Sequence, residues 1–207
     1  MVIRRVRWSW SKDEIEAGEF RAEARELVGE ELAAVHYITL DYRREEFRGD
    51  VVGPRPITSP TEWTDPCWRH PACHTVDHAV ELRTASERVF TASWESPGRI
   101  EGLGLRELPA IGSAVDEDRD VAIWDVSATP GWRSLIGGRV SSVDLHYERW
   151  DGSGALWCRR IDLRIDGRPV VLLLAEGKPW TEDLAPSADN VAVLFDGDVR
   201  PSWSDRS

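Results

Sequence analysis

Residues 67–78 read Cys67-Trp68-Arg69-His70-Pro71-Ala72-Cys73-His74-Thr75-Val76-Asp77-His78 and hold two of the three cysteines and three of the five histidines of the chain. Thiolate sulfur and neutral imidazole are the preferred zinc donors. Cys67, His70, Cys73, His74 and His78 are therefore the candidate metal ligands, and zinc is the cofactor they raise. Such a set would make the chain a zinc-stabilised module or a small metal-dependent enzyme. The spacing argues against it. Five residues separate Cys67 from Cys73, where structural sites place two to four. No second Cys/His pair follows, because His146 and Cys158 stand apart in sequence. The histidines recur at every fourth position, which shares one face of a helix, yet Val76, Val80 and Leu82 alternate as in a strand. On the competing reading the cysteines are small core residues and the histidines satisfy loop carbonyls.

Other catalytic patterns are missing. Gly102-Leu103-Gly104 lacks the third glycine of a phosphate-binding loop. Gly152-Ser153-Gly154 is a turn and not a nucleophile elbow, which needs Gly-x-Ser-x-Gly between a strand and a helix. The acidic run Asp116 to Asp120 could hold a cation, but such runs are usually solvated linkers. Glu81 and Asp162 occupy matched positions in the repeat described below. They could face each other as a carboxylate pair, or each could pair on the solvent face alongside Arg83 and Arg164.

The elements that must position these residues come from a repeat. Leu27 to Val35 aligns without gaps on Leu135 to Val143; five positions keep apolar or Gly character, including Gly29 and Gly137. The match continues from Thr39–Arg44 to Asp144–Arg149, from Val80–Arg83 to Ile161–Arg164, and from Arg88-Val89 to Arg168-Pro169-Val170. Four blocks in one order predict two copies of one supersecondary unit. Alternation predicts strands over 3–10, 35–42, 76–82, 89–94, 140–147 and 190–195, with a further strand opening at 121. Ser11-Lys12-Asp13-Glu14 reads as a capping box that opens a helix over 12–28, closed by Gly29. Asp166-Gly167 predicts a type I′ hairpin between 156–165 and 169–175.

The expected architecture is α+β and β-rich, with two tandem pseudo-repeats of about four antiparallel strands each, one N-terminal helix and a pseudo-twofold arrangement. The first repeat covers 1–112, an acidic linker 113–120, the second repeat 121–196 and a loose tail 197–207. The copies differ by a Pro-rich insertion at 45–72, with prolines 54, 56, 60, 66 and 71. Long ordered loops are commonly functional, so this insertion is expected to lie over the groove between the repeats.

Composition bounds the function. Thirty-seven acids against 26 bases leave a net charge of −11, which opposes binding to a phosphate backbone. The longest apolar run, Val170 to Ala175, is far short of the ~20 residues that span a bilayer. An odd cysteine count makes no disulfide framework, so a reduced, cytoplasmic protein is expected. Eleven tryptophans are a large store of the residue that anchors protein interfaces. These features point to a non-enzymatic, acidic, protein-binding module, an immunity- or antitoxin-like inhibitor being one version. Trp63, Trp68, Arg83 and Arg164 are the candidate partner contacts. A carbohydrate or small-ligand binder with exposed tryptophans is a third reading.

Overall fold

Period-two patterning yields strands over most of the chain. In the computed structural model, residues 11, 13–47, 52–95, 102–149, 155–178, 180–198 and 201 are described. The strand expected at 3–10, the turn at 151–154 and most of the tail lie outside them. Twelve strands occur among the described residues: β1 (Leu32–Leu40), β2 (Arg55–Pro56), β3 (Arg69–His70), β4 (Cys73–Val76), β5 (Ala79–Thr84), β6 (Val89–Glu95), β7 (Gly102–Arg106), β8 (Val121–Asp125), β9 (Val140–Arg149), β10 (Leu156–Ile165), β11 (Arg168–Gly177) and β12 (Leu184–Leu194). They form two six-stranded sheets, ordered β2-β8-β1-β5-β6-β7 and β3-β4-β12-β11-β10-β9. Every pairing is antiparallel except β2 with β8. No helix among the described residues is long and apolar enough to cross a membrane.

The sheets pack face to face. Val35, Tyr37, Val80, Leu82 and Phe90 from the first meet Leu145, Ile161, Leu163, Leu172 and Val193 from the second in one buried cluster. Helix α1 (Glu14–Ala24) packs against β7 and β9, the edge strands on that side of the sandwich. It buries Ala17, Phe20 and Ala24. Its cap is Asp13, not Ser11: the Asp13 carboxylate accepts from Ile15 and Glu16 N–H, both at 3.0 Å. Ser11 is drawn instead into a bridge with Leu156. The helix stops at Ala24, and one 3₁₀ turn, Arg25–Leu27, precedes Gly29.

The chain exchanges strands between the sheets, which the sequence did not reveal. The strand expected over 76–82 breaks at Asp77-His78. Val76 ends β4 in the second sheet and Ala79 begins β5 in the first. Asp77 holds the corner: its carboxylate accepts from Leu40 N–H at 3.1 Å and its carbonyl from Trp94 Nε1. Strand β8, expected to open the second repeat, pairs with β1 of the first sheet. The acidic stretch 113–120 therefore does not separate the sheets. It belongs to a loop over the outer face of the first, where Ala110 and Val115 pack with Ile38, Ala79 and Val121.

The insertion sends a few side chains inside, Ile57, Glu62 and Trp68 among them, while most of its described residues stay at the surface. Arg55 is forked between two buried carboxylates, Asp41 at 2.7 Å and Glu62 at 2.8 Å, whose side chains are 1% and 2% exposed. A guanidinium suits this task because its fixed fork can serve two acids at once.

Two turns are tied to each other. Gly29 N–H donates to Val140 O, and Gly137 N–H donates to Leu32 O, each at 2.8 Å. Leu32 N–H donates to Gly138 O and Val140 N–H to Glu30 O, each at 2.9 Å. Both glycines have positive φ, +93° and +81°, and open space where a Cβ would stand. Alanine at either position is expected to cost about 1–2 kcal/mol through backbone strain alone, read as a lower urea midpoint. Gly18→Ala, in the helix and equally open, should instead raise stability by about 0.5–1 kcal/mol. Arg55→Ala strands two buried carboxylates and should cost about 3–5 kcal/mol. If the urea midpoint of that variant matches wild type, the fork is not holding the insertion.

Candidate functional site

Strands β9, β10 and β11 set a grid of side chains on the outer face of the second sheet. Register aligns Ser142 with Arg164 and Pro169, Asp144 with Asp162 and Val171, and His146 with Arg160 and Leu173. Their chain neighbours Val143, Leu145, Ile161 and Leu163 point into the core, so strand alternation forces this set outward. Arg21 of α1 and Arg25 of the following turn border the same face. Together these elements enclose an open groove of about 340 Å³.

The charges in the groove are not equivalent. Asp162 is occupied: His146 Nε2 lies 3.0 Å from its Oδ2 and Arg160 Nη2 donates to the same oxygen at 3.1 Å. Arg21 donates through Nε to Leu145 O at 3.3 Å, lies over the Tyr147 ring and pairs with exposed Glu14 at 3.6 Å. Arg164 donates to Gly167 O, and no described carboxylate pairs with it or with Arg25. Both are exposed. Pro169 supplies a small apolar surface, with Val171 buried beneath it at 2% exposure. The lining contains no cysteine or lysine. Its exposed charged groups are the Arg25 and Arg164 guanidiniums, which can bond a carboxylate, and one carboxylate, Asp144.

The expected contacts lie elsewhere, with one exception. Trp68 is 2% exposed and Trp63 is half-buried against the main core, so neither offers a surface anchor. They meet each other and Trp124 edge-to-face, with centroids 5.2 to 6.2 Å apart. The insertion thus contributes Trp68 to the core and packs Trp63 against it. Arg83 is committed to Glu81 at 2.8 Å. Arg164 does line the groove.

The Cys/His segment does not converge. Cys67 Sγ points to Thr39 Oγ1 at 3.5 Å. His70 Nε2 donates to Lys178 O at 3.1 Å, while its Nδ1 accepts from Ala72 N–H and lies 3.8 Å from Cys73 Sγ. Burial pushes the Cys73 thiol up to about 11. His74 turns the other way, toward Tyr37, and His78 stacks on Trp94. Among the described residues no three His, Cys, Asp or Glu side chains are grouped to hold a metal ion. The strand is the reason: alternation sends Cys73 and His74 to opposite faces of β4. Glu81 and Asp162 do not pair either. They belong to different sheets and both face outward.

Sequence reasoning missed Arg21 and Arg25, which reach the groove through the helix packing on β9. It also missed Trp180. That side chain is fully exposed, at 101%, in the β11–β12 connection, with φ of +66°. Positive φ in a bulky residue is a genuine outlier. Its only sequence signal was its place beside Pro179 between two strands. No family model, curated protein or solved structure compared with this chain matches it.

Two buried titratable groups set an acid limit. His74 accepts from the Tyr37 hydroxyl at 2.8 Å and burial lowers its pKa to about 4. Glu81 loses solvation on burial, but His36, the Ala110 N–H and Arg83 more than offset this and hold it at about 2. Both groups are depressed below their unfolded values, so the stability they contribute is present at neutral pH and lost on acidification. The His74 share fades from about pH 6.5 to 4 and the Glu81 share from about 4.5 to 2, each on the order of 2–3 kcal/mol. His74→Phe should flatten the upper window in a stability–pH titration and leave the lower one. An unchanged upper window would remove His74 from the account.

Proposed function

We propose that this chain is a non-enzymatic protein-binding module that receives an acidic segment of its partner in the groove of the second sheet. The observation that carries this reading is the pair Arg25 and Arg164. They are exposed guanidiniums without carboxylate partners, in a chain whose net charge is −11. Some arginines are consumed by acids, Arg55 by Asp41 and Glu62, Arg88 by Glu30 and Glu107, Arg160 by Asp162, and others such as Arg133 and Arg168 are exposed but lie outside the lining of the groove. The two left open beside Pro169 make a recognition surface. An inhibitor that covers an acidic patch of its target is one form of this function.

The duplication read from the sequence is part of the proposal. Register supports it: β1 sets Val35 opposite Leu82 and Tyr37 opposite Val80, while β9 sets Val143 opposite Leu163 and Leu145 opposite Ile161. The gapless alignment equates Val35 with Val143 and the third block equates Val80 and Leu82 with Ile161 and Leu163; register sets Tyr37 at the place of Leu145, where the sequence match places Leu40. The bonds of Gly29 and Gly137 exchange roles in the same way. On this reading Glu81 and Arg83 correspond to Asp162 and Arg164. The first copy of the face is closed by the loop 107–120, whose Ala110 N–H bonds Glu81 at 2.9 Å. The second copy is the open one, and a duplicated face left open in one half is where a partner can bind.

Titration calorimetry with a pentaglutamate peptide tests this. Wild type should bind it, more weakly as salt rises. Arg25→Gln or Arg164→Gln should each weaken binding about tenfold, the scale of one lost charge-assisted bond. Arg83→Gln, on the closed face, should leave binding unchanged. Peptide that binds all four proteins equally, or none, overturns the groove as the site.

A further inference from the structure

The β11–β12 connection carries the chemistry that the groove lacks. Trp180 is fully exposed there. Around it Glu176, Glu182 and Asp183 are exposed acids, and the one base, Lys178, lies 4.0 Å from Asp183. The backbone holds the tip in shape: Lys178 N–H donates to Asp183 O at 2.9 Å, Asp183 N–H to Thr181 Oγ1 at 3.1 Å, and His70 Nε2 to Lys178 O. An indole framed by carboxylates is the complement of a small apolar surface framed by guanidiniums.

The geometry points to a second copy of this chain as an occupant of the groove: Trp180 of one protomer against Pro169 of another, with Glu182 and Asp183 facing Arg25 and Arg164. This rests on the reading of the groove as a site for acidic segments, and it names one partner. The tip cannot reach its own groove. Val171 lines the groove and Gly177 ends the same strand, six residues on, a separation of about 20 Å at the rise of a β-strand. The complementary surfaces sit at opposite ends of one rigid hairpin and must meet between molecules. A twofold arrangement sets tip on groove and groove on tip in one isologous interface. Two protomers can close by exchanging tips, and the groove would then be shielded from any other acidic segment until the pair separates.

Sedimentation equilibrium of the full chain at physiological ionic strength is the test, since repulsion between two acidic bodies is screened there beyond about 8 Å. Wild type should shift from monomer to dimer with concentration. Trp180→Ala should weaken association by about tenfold or more, as for an interface anchor. Arg25→Glu with Arg164→Glu should do the same from the other side. Mixing these two proteins should restore a 1:1 heterodimer, because one keeps a sound groove and the other a sound tip. Trp180, Arg25 and Arg164 are exposed, so near-ultraviolet circular dichroism should be unchanged in the arginine variant. Association of Trp180→Ala equal to wild type, or a mixture that stays monomeric, overturns the self-docking. A monomeric wild type that still binds pentaglutamate overturns it and leaves the groove reading standing. A monomeric wild type that binds no peptide overturns both.

Discussion

The Tyr37 hydroxyl ties the interiors of the two sheets together. Trp132 Nε1 donates to it at 2.6 Å, and it donates to His74 Nδ1 at 2.8 Å. Tyr37 stands on β1 of the first sheet and His74 on β4 of the second. A buried hydroxyl with no partner would cost about 1–3 kcal/mol, so this phenol can occupy a fully buried position because both of its functions are met. The requirement propagates. His74 must be neutral to accept, which its buried surroundings ensure. Trp68 and Phe195 close over the imidazole, with centroids 4.8 and 5.3 Å away. Trp68 brings the end of the insertion inside, and the insertion in turn requires a way to neutralise Asp41 and Glu62. Arg55 answers that need.

The outer faces of the two sheets are not alike. The loop 107–120 covers part of the outside of the first sheet, with Ala110 and Val115 packed on Ile38, Ala79 and Val121. It supplies the Ala110 N–H to Glu81 and the Leu108 carbonyl to the Thr91 hydroxyl at 2.7 Å. A carboxylate that receives a backbone N–H, an imidazole and a guanidinium is a closed account of hydrogen bonds, and Glu81 has nothing left to offer a ligand. Among the described residues no comparable loop crosses Asp144, Asp162 and Arg164. Their charges are met by neighbours on the same face or not at all, which is why the proposed binding surface lies on the second sheet.

Local features were legible in the sequence and long-range ones were not. Asp166-Gly167 predicted a type I′ turn, and both residues have positive φ, +48° and +77°. Gly29 and Gly137, kept where neighbours vary, stand at positive φ as well. Most strands fall where alternation placed them, because the period of a strand is written locally. The partners of β4 and β8 are not local. Val76 continues the alternation of Val80 without a gap in pattern, so nothing in the pattern marks the change of sheet at Asp77-His78. The tryptophans misled for a related reason: indole suits a core and an interface equally, and composition does not say which. Arg164 was found because the repeat singled it out. Arg25 was not, because its place at the groove depends on how α1 docks on β9.

The opposition between a net charge of −11 and a groove lined by guanidiniums shapes what can bind. The whole-molecule field extends over about a Debye length, roughly 8 Å at physiological salt, while contacts inside the groove act at hydrogen-bond distance and are screened less. An acidic ligand is therefore repelled weakly on approach and held only after it arrives. Long polyanions suffer most, because most of their charge remains outside the groove and in the repulsive field. On the proposed reading a short acidic segment would place its few charges against Arg25 and Arg164 and an apolar side chain against Pro169. Electrostatics of this kind lower the encounter rate and sharpen the choice of ligand. On the proposed reading, the charge pattern that opposes a long polyanion would still admit a short carboxylate-bearing segment with an apolar group to set against Pro169.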